Sequence, residues 1–141
     1  MAYSEKLRKK ITNVEKAFAN LEESQFFEYE FQINVEVVTK RFEYTFEALW
    51  KTIKLFLFEA KGLECHSPMD CIKTAYQVGL IPKAYEQDFI AMVRKRNDIV
   101  HIYNETVAEE IYDLIISRFI EAIGEVVSLL GEQIRYTTGD E

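Results

Sequence analysis

Apolar residues recur at Leu7, Ile11, Val14, Phe18 and Leu21 in alternating steps of four and three, with Lys and Glu between them. That spacing keeps one face of a helix apolar and predicts a first helix with a single buried stripe. After an aromatic-rich connection at 26–31, the same spacing resumes at Val35, Val38, Phe42, Phe46, Leu49, Ile53, Leu57 and Ala60. Asn34 is placed to cap this longer helix and Gly62 to end it. Trp50, Phe56 and Phe58 lie off the stripe, so the helix is apolar on more than one side; it belongs at the centre, and its surplus aromatics are candidates for a dimer seam. Ser67-Pro68-Met69-Asp70 joins a capping serine, a first-turn proline and an acid three residues after the cap, the start of a short third helix that stops at Gly79, ahead of Pro82. From Lys83 a fourth helix carries Tyr85, Phe89, Ile90, Met92 and Val93 inward and runs into Arg94-Lys95-Arg96. Thr106 and Glu109 form a Thr-x-x-Glu box that opens a long last helix through Ile111, Leu114, Ile115, Phe119, Ala122, Val126, Leu130 and Ile134. The polar tail from Tyr136 is expected to fray. No alternation is sustained long enough for a strand. The predicted class is all-α: an antiparallel up-and-down helical bundle of four long helices plus one short helix, one domain over 1–141 with its ordered core at 6–134.

Composition narrows the function. The chain has 141 residues and a net charge of −7, which argues against non-specific coating of nucleic acid but leaves room for a local basic site. The first ten residues carry charge with no apolar stretch behind them, so no signal peptide is expected, and the longest clean apolar runs, such as 55–58, are far too short to span a membrane. Cys65 and Cys71 match neither a Cys-x-x-Cys nor a paired zinc spacing, and His66 completes no ligand set. Two reduced thiols in a cytoplasmic protein are therefore expected. Gly-rich phosphate loops, His-Glu-x-x-His and Gly-x-Ser-x-Gly are missing from the sequence.

One segment concentrates chemistry: Arg94-Lys95-Arg96-Asn97-Asp98-Ile99-Val100-His101-Ile102-Tyr103-Asn104. If it stays helical, Asn97, His101 and Asn104 share one line and Arg96 and Tyr103 another, the two lines being roughly 140° apart at about 100° per residue. Arg96 and His101 of one ideal helix then diverge. Either the helix breaks near Asp98, or two copies meet at a symmetry axis and each supplies part of a site. Such a group suits RNA cleavage without a metal or other cofactor: histidine can move a proton at a ribose hydroxyl or leaving oxygen, and arginine can hold the phosphorane oxygens. The plainer alternative is a histidine packed with a satisfied hydrogen bond and an Arg96 paired with a nearby Glu or Asp.

The pattern Arg96-Asn97-x-x-x-His101-x-Tyr103 resembles the Arg-x4-6-His signature of HEPN domains. Residues Arg41 to Lys51, with Trp50 in place, resemble the block typical of nucleotidyltransferase substrate-binding proteins, as do the stretches 67–81 and 108–112. The resemblance runs from about Leu7 to Leu130. It implies a bundle that forms a homodimer and a complex with a minimal nucleotidyltransferase, often as a toxin–antitoxin pair in which the HEPN member is a metal-independent endoribonuclease. Carried over, Arg96 and His101 are catalytic and Asn97 supports them. Arg94, Lys95, Arg96 and Asn104 contact RNA or nucleotide, and Tyr103 accepts AMP from the transferase. No cofactor, metal or membrane is implied. The rival reading from the same family is a binding subunit without turnover, whose basic groove holds a nucleotide or the transferase's substrate.

Overall fold

The computed structural model describes residues 3–101 and 105–139, with side chains described up to residue 99 and from 105 to 135. The first helix, α1, spans Glu5–Ser24, and the Ser4 hydroxyl accepts from the Leu7 N–H at 3.0 Å, a side-chain N-cap. Leu7, Ile11, Val14 and Leu21 are fully buried, as the stripe requires. The central helix α2 spans Phe31–Lys61, 31 residues, with Val38, Phe42, Phe46, Leu49, Ile53 and Leu57 buried. It starts four residues earlier than an Asn34 cap would allow. Asn34 lies inside the first turn, its N–H donating to Glu30 O and its amide Nδ2 donating to Tyr29 O, so the asparagine serves the backbone from within the helix. At the other end Gly62, at φ 67°, closes α2 with Leu63 N–H on Leu57 O and Gly62 N–H on Phe58 O, the paired bonds of a left-handed cap. Phe56 packs into the core, Trp50 is half-buried, and Phe58 is 55% exposed, so the off-stripe aromatics point three different ways.

Helix α3 spans Pro68–Gln77, capped by the Ser67 hydroxyl, which accepts from Asp70 N–H at 3.1 Å. A short 3-10 turn at Lys83–Tyr85 leads into α4, Glu86–His101. The last rod comprises α5, Glu105–Leu114, a π turn at Ile115–Phe119 and α6, Ile120–Gly139. The expected capping box at Thr106 and Glu109 does not open it, because the helix already includes Glu105 and Glu109 accepts instead from Gln32 Nε2 at 3.2 Å. The backbone stays helical to Gly139, beyond the point where fraying was expected. Among the described residues there is no strand and no helix long and apolar enough to cross a membrane.

The π turn has a cause in the burial pattern. Ile111, Ile115, Phe119 and Ile123 are all buried, three successive steps of four. In an α-helix each such step drifts by about 40°, so the stripe would wind off the core within one more turn. One wider turn absorbs the extra residue and keeps all four on the same side.

Interhelical contacts set the directions. Ser4 reaches Glu59 while Arg41 Nη1 donates to Asn20 O, so α1 and α2 are antiparallel. Tyr3 meets Gln133 and Gly124 lies against Phe18, so α1 and α6 are antiparallel too. Tyr85 bonds Glu121 and Asp88 pairs with Arg118, which makes α4 antiparallel to the rod. Phe42 stacks between Phe46 and Phe119, with centroids 6.0 and 5.5 Å away, at the heart of the bundle. The architecture is an all-α helical bundle with α3 set across the connection between α2 and α4.

The cysteines correct an expectation. Cys65 and Cys71 are joined in a disulfide, with Cα atoms 5.1 Å apart and both residues buried. The Gly62 cap turns the chain back and the Ser67 cap starts α3 at once, so two residues that share no sequence motif arrive side by side.

Candidate functional site

The cationic stretch lies on the C-terminal half of α4, which continues unbroken past Asp98 to His101. A helix break near Asp98 is therefore not the route by which Arg96 and His101 would meet. Arg94 and Asn97 are exposed, and Lys95 Nζ sits 3.9 Å from Asp98 one turn on. Arg96 Nε donates to Glu47 Oε1 on α2, and Arg96 Nη1 donates to Asn97 Oδ1 at 3.3 Å. The plainer sequence alternative is thus realised for the arginine, which has a carboxylate partner. His101 is the last residue of α4, one turn after Asn97 and on the same helical line. Its side chain, and the whole of Tyr103 and Asn104, lie outside the described residues.

Glu47 is the unanticipated member of this group. It accepts from Arg96 through one oxygen and from Trp50 Nε1 through the other, at 2.9 Å. Burial pushes its pKa up, but the hydrogen bonds from Arg96 and Trp50 and the charges of Arg96 and Lys51 outweigh burial and hold the carboxyl below its usual 4.5. At neutral pH it is a fixed anion that orients the Arg96 fork and leaves the remaining guanidinium N–H groups for another acceptor. In the sequence the clue was its place in the Arg41–Lys51 block, three residues before the tryptophan.

A second feature escaped the sequence reading. A surface cavity of about 570 Å³ opens beside α1, α2 and the disulfide loop, its lining including Lys6, Lys10, Lys51, Lys54, Trp50 and Phe58, together with Glu64 and His66. The lysines come in pairs, four apart on α1 and three apart on α2, spacings that put each pair on one helix face. That signal was present in the sequence, but nothing in it told that the two faces meet. Among the described residues no group of three His, Cys, Asp or Glu is placed to hold a metal ion.

A small helical bundle with a cationic fourth helix braced on its central helix defines the class to which this protein belongs. A family model described as "Nucleotidyltransferase substrate binding protein like" matches residues 9–132, and the chain belongs to that family, whose helical fold is of the HEPN type. A crystallised protein from Thermus thermophilus is 36% identical, with a TM-score of 0.75, over 83% of this chain and 98% of that one. No curated protein matches.

Proposed function

We propose that this protein is the HEPN-type partner of a minimal nucleotidyltransferase, in a toxin–antitoxin pair, and that as a homodimer it cleaves RNA without a metal. The observation that carries the reading is the bracing of Arg96. Glu47 holds the guanidinium beside Asn97, on the helix whose next turn carries His101. Because α4 is continuous to His101, and positions five apart on a helix are roughly 140° around it, this reading builds the shared site from two copies. There the neutral imidazole of one copy takes the ribose 2′-hydroxyl proton as its oxygen bonds to phosphorus. The bond to the 5′-oxygen breaks, and the other copy's imidazolium supplies that oxygen's proton. Arg96 carries the charge that grows on the phosphorane oxygens. Asn97 orients the phosphate, and Arg94, Lys95 and Asn104 hold the neighbouring backbone. AMP on Tyr103 would set a bulky anion beside this cleft and block it.

The test is cleavage of total and transfer RNA in EDTA by wild type and His101→Ala, after intact mass has shown Tyr103 unmodified. Cutting by wild type alone is expected. No cutting by unmodified wild type overturns the nuclease reading. Co-expression with the transferase should add the mass of AMP to wild type and not to Tyr103→Phe.

One observation favours the second reading, a binding subunit without turnover: Glu47 already neutralises Arg96 within a single chain. On that reading Arg96→Ala weakens nucleotide binding, and RNA is never cut.

A further inference from the structure

We propose that the lysine-lined cavity beside α1 and α2 is a binding site for a small phosphate ester bearing a planar ring, of which a mononucleotide is the simplest. The site shares no residue with the Arg96, Asn97 and His101 group, and the inference does not depend on RNA cleavage; a nucleotide held at Arg96 would occupy a separate site, lost on Arg96→Ala when this one is kept.

Four observations lead to it. First, the lining holds four lysines, Lys6, Lys10, Lys51 and Lys54, and one acidic residue, Glu64, in a chain whose net charge is −7. Against that acidic background a local excess of cations is a place where a phosphate gains Coulomb energy. Second, among the described residues none of the four lysines is ion-paired. Lys6, Lys10 and Lys54 therefore present their charge to an external anion, while Lys51 also acts at longer range on Glu47. Third, the cavity has apolar planes as well as cations. Phe58 is 55% exposed, and Trp50 is held by its N–H on Glu47 while its ring lines the cavity. An exposed phenylalanine and, separately, a fixed indole in the same lining each offer a surface for a stacked ring. Fourth, the volume of about 570 Å³ falls in the range of roughly 300–1,000 Å³ typical of small-ligand sites. His66 and Glu64, also in the lining, supply a hydrogen-bond donor and an acceptor for sugar hydroxyls or an exocyclic amine.

A phosphate without a ring would use only the lysines, and a nucleoside without a phosphate only the aromatics. The proposal therefore requires both halves in one ligand.

Trp50 is the single tryptophan of the chain, so its emission reports on this cavity. The purified full chain is titrated with AMP, ribose 5-phosphate, adenosine and inorganic phosphate, exciting at the red edge of indole absorption and repeating the AMP titration by calorimetry. Saturable quenching by AMP is expected, with ribose 5-phosphate, adenosine and phosphate each weaker by at least about tenfold. Lys51→Glu/Lys54→Glu should weaken AMP by at least about tenfold. Lys51→Gln/Lys54→Gln, neutral changes at two exposed positions, should weaken it in the same direction with unchanged thermal unfolding. Arg96→Ala should leave AMP affinity unchanged. Absence of AMP binding by both methods, AMP affinity indifferent to the lysine changes, or phosphate binding as tightly as AMP overturns the proposal. A loss on Arg96→Ala that matches the loss on the lysine changes would also overturn it, by placing the ligand on α4.

Discussion

Glu47 shows how one side chain connects a motif to its scaffold. Its two oxygens divide between a guanidinium on α4 and an indole on its own helix, so losing the carboxylate frees both at once. Glu47→Gln should lower stability at neutral pH by about 1 kcal/mol, a charged hydrogen bond discounted for partial exposure. The pH dependence follows from the direction of its shift. The folded pKa lies below the ordinary 4.5, so the pair's stabilisation is complete above that value and disappears as pH falls through the lowered one. Urea midpoints of wild type and Glu47→Gln should therefore converge as the buffer is taken from neutral down to about pH 3; a gap that stayed constant would show that the pair does not titrate. At this scale the sequence was half legible. Arg96 and Asn97 stood out because cations, amides, a histidine and a tyrosine crowd into one short segment. Glu47 did not, because nothing in a string of letters says which of 24 acidic residues reaches across to another helix.

Among the helices, those with a steady step of three and four were legible to within a few residues, since burial enforces that period. The misread helix starts were those assigned to a capping residue alone. Asn34 and Thr106 carry capping chemistry, yet apolar and aromatic contacts upstream, such as Phe31 against Tyr112 at 5.6 Å, extend the helix past the asparagine. The π turn is legible in principle, as a run of three steps of four, although apolar spacing alone predicts ordinary helix there. Its function as an absorbed residue is testable by deletion. Removing the exposed Ser117 should convert the wide turn to α-helix and leave α6 seated, with a stability change within about 1 kcal/mol. Removing the equally exposed Ser128 should rotate everything after it by about 100°, pull the buried Leu130 out of the core and cost about 2–5 kcal/mol. Thermal unfolding of the two deletions compares them directly; equal losses would refute the account. The disulfide was illegible for another reason, since a separation of six residues says nothing of distance until two caps fold the loop. Closing so short a ring is worth about 2 kcal/mol, so Cys65→Ser/Cys71→Ser should unfold correspondingly sooner, as should wild type after full reduction.

At the scale of the whole molecule, the two cationic features lie on different seams of the bundle. One is on α4, braced against the central helix; the other is between the lysine faces of α1 and α2. Both draw on the same segment of α2, where Glu47 braces Arg96 and Trp50 lines the cavity. The Arg41–Lys51 block of the sequence is thus where the two cationic features meet. What the chain alone could not convey is adjacency across long separations. Lys6 and Lys54 are nearly as far apart in sequence as Ser4 and Glu59, whose hydrogen bond closes one end of the bundle.

The meeting of Tyr3 with Gln133, and of Arg8 Nη1 with Ile134 O at 3.3 Å, has a topological consequence. Residues 130 positions apart are neighbours, so the path of the backbone is almost a closed circuit, and the order in which its helices are written is close to a convention. Joining residue 135 to residue 3 through a short flexible linker and opening the circuit in the exposed connection near Glu28 should yield a permuted chain with the same helical content and cooperative melting. A permutant that stayed molten would show that this bundle depends on the direction in which it is read.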